Sequence, residues 1–275
     1  MRVLISKLSS FSAALTMFLG LLSSNLLAIT TDETESLVSN LYITSIKTHA
    51  ALNSFYNYTA NTGDKGLLAD VVESIEKTDT LSAEIQQTIP SELKADNDLV
   101  TTEYKEFKRL LTDNIEFVKE NGYSDLRLVD DLSRKNGELS QKIENLKKKL
   151  SQTTGYKPNP SAQKARELAV TISKMVASYT ARSTSSVVQT AQGSDTERPL
   201  DAIALSVDKT LAELIDDPAN TQEIKRTLAS TKTKWQFIRN SFINYNEKNV
   251  NYVVNLYSKR IIDSILDVSV LYAKK

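Results

Sequence analysis

The chain has 275 residues, with 34 basic against 34 acidic side chains, one histidine, seven glycines, five prolines and no cysteine. Without a thiol there is no disulfide, zinc ribbon or thiolate nucleophile, and a solitary imidazole cannot build the paired-histidine metal sites of zinc enzymes. Balanced charge offers no basic excess for nucleic acid, and glycine far below the about 19 expected at ordinary usage predicts few tight turns and long helices.

Residues 1–28 have the layout of a signal peptide: Arg2 and Lys7 precede the apolar run Phe11-Ser-Ala-Ala-Leu-Thr-Met-Phe-Leu-Gly-Leu-Leu22, and small Ala28 stands before the polar Thr30-Thr-Asp-Glu-Thr-Glu35. Cleavage is expected after Ala28, with Ser24 as second choice, and the periplasm as destination. The alternative is an uncleaved amino-terminal helix anchored in the inner membrane, since Leu8 to Ile29 reaches the about 20 residues of a span. No later stretch is apolar for long enough to cross a bilayer, so the cleaved chain is expected not to be an integral membrane protein.

The rest reads as two copies of one unit. Thr59-Ala-Asn61 aligns with Thr190-Ala-Gln192, Ser74-Ile-Glu-Lys-Thr78 with Ser206-Val-Asp-Lys-Thr210, and Tyr104-Lys-Glu-Phe107 with Trp235-Gln-Phe-Ile238, at offsets of 131, 132 and 131. Val129-Asp-Asp-Leu132 lies over Val253-Val-Asn-Leu256 at 124, as a shorter loop before the last helix would explain. Between the halves, Ser151-Gln-Thr-Thr-Gly-Tyr-Lys-Pro-Asn-Pro-Ser161 gathers a glycine and two prolines. The expected architecture is all-α: a signal peptide (1–28), then two tandem up-and-down four-helix bundles of similar topology, 31–151 and 160–275.

Apolar spacing places the helices. First helices are carried by Leu37, Leu41, Leu52 and Phe55 and by Leu168, Ile172, Met175 and Tyr179, with the noisiest pattern of the set. Second helices follow Leu68, Val71, Ile75, Ser82 and Ile85, and Leu200, Ala204, Val207, Leu211 and Leu214. Third helices repeat steps of three and four through Val100, Tyr104, Phe107, Leu111, Asn114 and Val118, and through Ile224, Leu228, Thr231, Trp235, Ile238, Phe242 and Tyr245. Fourth helices use Leu132, Leu139, Ile143, Leu146 and Leu150, and Val254, Tyr257, Ile261, Val268 and Leu271. Breakers fall between them at Asn61–Gly66, Pro90, Asn121–Asp125, Gly193–Pro199 and Asp216–Thr221.

Nucleophile elbows, phosphate-binding glycine loops, dinucleotide fingerprints and His-Glu-x-x-His are all absent from the sequence. No catalytic residue, metal ligand or cofactor is assigned, and the chain is read as no enzyme. His49 has no orienting carboxylate at helical spacing and Thr180 at its matching place, and is read as a bundle-surface or partly buried side chain. Asp70, Glu73, Glu76, Asp79 and Glu84 read as a solvated face, and Lys147-Lys-Lys149 as cations completing the last turn of a helix. In Ser178–Gln192, small hydroxylated residues prolong a helix where large apolar ones would fill a bundle: either the neighbouring helix crosses closely, or Arg182 and the hydroxyls line a polar cavity. Aromatics concentrate near the carboxyl end. Trp235 and Tyr257 are expected to share a layer, and Tyr179, Arg182, Trp235 and Tyr257 are the candidate ligand-binding residues. Asn240, Asn244 and Asn246 either contact a ligand or end a helix.

The stretch Leu168-Ala-Val-Thr-Ile-Ser-Lys-Met-Val-Ala-Ser-Tyr-Thr-Ala-Arg182, the later Trp235 helix and the repeated unit resemble the amino-terminal sensor domain of type IV pilus methyl-accepting chemotaxis transducers and their nitrate-sensor relatives. Lys174-Met175-Val176 is similar to the middle of that family's Arg-Met-Leu-Ser-Gln-Arg run. Its glycine and first arginine are missing, so the family's ligand-contacting arginine maps to no residue here. The resemblance implies a periplasmic bundle sensing a small ligand or a partner protein. Because the chain ends at Lys275 directly after a helix, such a module is expected to act by binding: as an adaptor that captures a small ligand or docks on an envelope or membrane protein, or as a structural component of an envelope or secretion assembly.

Overall fold

Several helices begin and end where local chemistry satisfies the orphan groups of their termini. A computed structural model describes residues 29–184, 199–245 and 250–275; the expected export segment, the Thr190-Ala-Gln192 anchor, Ser185 to Gln192 and Asn246 lie outside the described residues. Within them run α1 (Thr31–Ala60), α2 (Lys65–Thr88), a 3-10 turn (Ser91–Leu93), α3 (Lys94–Asn121), α4 (Leu126–Thr154), α5 (Pro160–Thr184), α6 (Leu200–Ile215), α7 (Gln222–Ile243) and α8 (Asn251–Ala273), with no strand among the described residues. Asp64 caps α2 by accepting from Gly66 N and Leu67 N, Asp125 caps α4 through Arg127 N and Leu128 N, and Thr221 caps α7 through Ile224 N. Gly122 (φ 79°) and Gly155 (φ 67°) close α3 and α4 in the left-handed conformation that other residues adopt at a cost.

Residues Thr31–Lys275 form one compact unit. In its first half α1 lies beside α2 and α4, α3 beside α4 and, more lightly, α2. In the second, α5 lies beside α6 and α8, and α7 beside α6 and α8. The halves are joined where α1 packs along α5, and Ile46 of α1 enters the hydrophobic core built by α5 to α8.

This joint explains the noisy pattern of the first helices. In α1, 16 of 30 residues are buried, against 8 of 29 in α4, whose Val129, Leu132, Asn136, Leu139, Ile143, Leu146, Lys147 and Leu150 form a single stripe. A helix covered on most sides carries no clean apolar face, whereas one packed on one side does. The α5 side of the joint is rich in small residues, with Ala162, Ala165, Ala169 and Ser173 all buried, and the Ser173 hydroxyl donates to the carbonyl of Ile46 at 3.1 Å.

Three sequence expectations change. Helix α4 continues past Lys149 to Thr154 because the terminating glycine is Gly155, so the lysines do not stand in its last turn. Lys147 is instead buried over the Tyr42 ring, 3.5 Å from its centroid. Helix α7 ends at Ile243, capped by Asn244 N bonding Asn240 O, which leaves Tyr245 beyond the helix. In α8 the buried stripe runs through Val254, Ser258, Ile261, Ile265, Val268 and Tyr272, with Tyr257 and Leu271 half-buried on its flank. Asp70, Glu73, Glu76 and Glu84 are exposed, while Asp79 is half-buried and bonded across to α3.

Candidate functional site

The four candidate residues are placed by three helices of the second half. Tyr179 of α5 and Trp235 of α7 are both buried and meet through Phe242: Trp235 stacks on it with centroids 5.6 Å apart and 23° between planes, and Tyr179 meets it edge-on at 5.3 Å and 65°. Offset-stacked and edge-to-face pairs suit the ring quadrupoles. The Tyr179 hydroxyl accepts from Val250 N at 3.2 Å. Arg182, one turn further along α5 and half-buried, holds its guanidinium over the Tyr245 ring at 5.1 Å. Tyr257 pairs with Phe237 at 4.8 Å and carries Arg260 at 5.7 Å, so it borders the same core without joining the Trp235 stack. The space beside Trp235 is therefore filled by rings.

The hydroxylated stretch packs closely as far as it is described. Thr180 and Ala181 are wholly buried, and Ser183 donates to Asn251 Oδ1 at 2.6 Å. An open groove of about 240 Å³ does lie between α5 and α6, lined by Lys164, Glu167, Thr171, Thr210 and Glu213 among others. Its Lys164 and Glu213 are paired at 2.6 Å, and none of the four candidate residues lines it. Among the described residues no group of three His, Asp or Glu side chains is arranged to hold a metal ion.

Sequence reasoning missed a polar seam where α1, α4 and α5 meet. Arg166, 1 % exposed, directs both terminal nitrogens to the Glu35 carboxylate, which also accepts from the Tyr156 hydroxyl. Further along, Tyr42 donates to Glu167 at 3.5 Å, and Lys147 above its ring pairs with Glu144 at 2.6 Å. Burial holds the Lys147 ammonium below the ordinary lysine range, partly opposed by its bond to Glu144, and burial likewise raises the Tyr42 phenol. The seam was faintly visible as a single arginine set among the small residues Ala162, Ala165 and Ala169.

His49 belongs to this seam, and its expected surface or partly buried position is corrected. It is buried because α1 is covered by α4 and α5 together. Asn136 approaches Nδ1 at 2.8 Å and Ser140 approaches Nε2 at 3.3 Å. Burial first, then the charge of Lys174, brings its pKa down to about 3, so the ring is neutral.

A second missed element recurs in both halves. Tyr104 donates to Asp79 Oδ1 at 2.9 Å while Lys108 holds Oδ2 at 2.6 Å. Trp235 donates to Asp208 Oδ1 at 2.7 Å while Arg239 holds Oδ2 at 2.6 Å. Tyr104 with Lys108, and Trp235 with Arg239, are matched pairs at the offset of 131. Each third helix thus clamps a carboxylate of its second helix with an aromatic donor and a cation one turn apart. No family model, curated protein or solved structure matches this chain.

Proposed function

We propose that the protein is an exported, non-enzymatic helical adaptor, sensor-like in build, that docks on an envelope or membrane partner through its surface. The observation carrying this reading is that rings fill the core at the expected ligand pocket, while large aromatics on the same half face outward: Phe237 is 62 % and Tyr252 79 % exposed. Buried rings stabilise, whereas exposed ones offer contact area to a partner. The likeness to the chemotaxis-transducer sensor unit points the same way, and the signal-peptide layout of residues 1–28 supports export to the periplasm. Among the described residues no helix is long and apolar enough to cross a membrane.

The Tyr104–Lys108 and Trp235–Arg239 pairs, both at the offset of 131, support descent from one duplicated four-helix unit, while the aspartates they hold, Asp79 and Asp208, are 129 apart and so stand about one turn off the 132 register of the second helices. In this reading the two bundles, 31–151 and 160–275, are up-and-down units fused along α1 and α5.

The test is in-cell cross-linking of tagged protein, comparing wild type with a Phe237→Ser, Tyr252→Ser double variant of unchanged thermal stability. Loss of a discrete envelope adduct in the variant supports docking, and an uncleaved cytoplasmic product removes the export reading. Small anions and amino acids are then tested by thermal shift, where stabilisation of about 2.7 kcal/mol at 100 times the dissociation constant would restore ligand capture. The filled core also favours a second reading, a structural component of an envelope or secretion assembly, which stoichiometric retention in a large complex would distinguish from reversible binding.

A further inference from the structure

The chain holds one histidine, and the fold places it at the meeting of both halves. The Ser140 hydroxyl donates its proton to the carbonyl of Asn136 at 2.8 Å, so toward the imidazole it accepts, and Nε2 carries the ring proton. Nδ1 then accepts from the Asn136 amide nitrogen at 2.8 Å, which leaves Asn136 Oδ1 buried with no partner. A second ring proton would sit on Nδ1 and point at an N–H group. Turning the amide would supply an acceptor and strand its nitrogen instead. Protonation therefore requires the buried amide to turn, and the cation is then enclosed between α1, α4 and α5.

The charges around the ring add to this. From α4 it meets only the neutral Asn136 and Ser140, and from α5 the ammonium of Lys174 acts on it. Among the described residues no carboxylate from α1, α2, α3, α4 or α5 acts to favour the protonated form. The packing that protonation would disturb is the one joining the halves: Ile46 and Leu52 lie one turn either side of His49 on α1, both buried, and Ile46 sits in the second-half core.

We propose that His49 makes the α1–α4–α5 joint acid-sensitive: the two halves hold together while the imidazole is neutral and loosen when it takes up a proton. The sign follows from the folded ring resisting protonation at values where a free one accepts it. The contribution is whole above about pH 6.5 and is lost as pH falls from there toward the folded value of about 3. For a ring that titrates only after opening, the opening equilibrium rises about 30-fold between pH 8 and pH 5.

The experiment is amide hydrogen exchange of the full chain at pH 7 and pH 5, corrected for intrinsic rates, on wild type and His49→Gln. The expected result is a loss of protection in α1 around Ile46 to Leu52 about 25-fold larger at pH 5 than at pH 7, present in wild type and absent in the variant. Equal losses in both proteins overturn the proposal. The imidazole resonance, which belongs to one residue alone, gives a second reading that requires no variant. It should remain in the neutral form at pH 5 while the chain is folded; titration near pH 6.5 in the folded protein overturns the proposal even where His49→Gln fails to fold.

Discussion

The two halves solve one local problem with the same chemistry and another differently. In both, the third helix is tied to the second by an aromatic donor and a cation closing on one aspartate, at Asp79 and at Asp208. Beyond the clamp they part. Two turns along α7 from Trp235 the second half stacks Phe242 and brings in Tyr179, where the matching place on α3 holds Leu111 and, further on, Asn114 reaches over to donate to Leu128 O at 2.9 Å. A polar clamp depends on donors and acceptor at fixed distances and tolerates little change. An apolar layer needs only matched volume, so different side chains serve.

The largest expected break in that comparison is at the aromatic stack. Trp235→Ala removes one end of the stack and one arm of a clamp together, and is expected to destabilise by about 4 kcal/mol in urea unfolding. Tyr104→Phe removes only the matching hydroxyl and is expected to cost about 1 kcal/mol. Equal effects of the two would remove the distinction between layer and clamp.

Next comes the bond between halves. Glu35→Gln leaves the Arg166 guanidinium buried without its counter-charge and is expected to cost about 3 kcal/mol by the same measurement, while a Glu35→Leu, Arg166→Met double variant recovers most of the loss. Failure of the double variant to recover would mean that the pair contributes more than charge neutralisation. The clamps themselves are half-exposed. Asp79→Asn and Asp208→Asn are each expected to lower stability by about 1 kcal/mol, and a silent result at only one of them would break the equivalence of the halves. The smallest effect is on the outer face of α4, where Arg134, paired with Asp131 and Glu138 in solvent, is expected to leave the unfolding midpoint unchanged on substitution by glutamine.

How much was readable in the chain differs with position. The outer helices α3, α4 and α7 announced themselves, because one buried stripe against solvent forces apolar residues onto steps of three and four. The end of α3 at Gly122 and the start of α4 at Asp125 were equally plain, because a turn there demands a particular residue, whereas the end of α4 at Gly155 was read too early at its lysines. Tyr179 and Trp235 were rightly singled out as large rings at seam positions, yet their meeting through Phe242 and the separate pairing of Tyr257 with Phe237 depend on helix rotation. Lys147 and His49 were misplaced for the same reason: whether a polar side chain on a helix is covered is decided by the neighbour it faces. The clamp cations Lys108 and Arg239 could have been found from their shared offset with Tyr104 and Trp235.

The order of residues by itself determined the all-helical character of the described residues and most of the breaks between their rods, because backbone capping and amphipathic periodicity act over a few residues at a time. Only tertiary structure decided that α1 and α5 lie against each other, that Arg166 finds Glu35 there, and that the lone histidine is enclosed. Those contacts join residues 87 positions apart at His49 and Asn136 and 131 apart at Glu35 and Arg166, and which face of a helix meets which partner is set by the packing of all its neighbours at once.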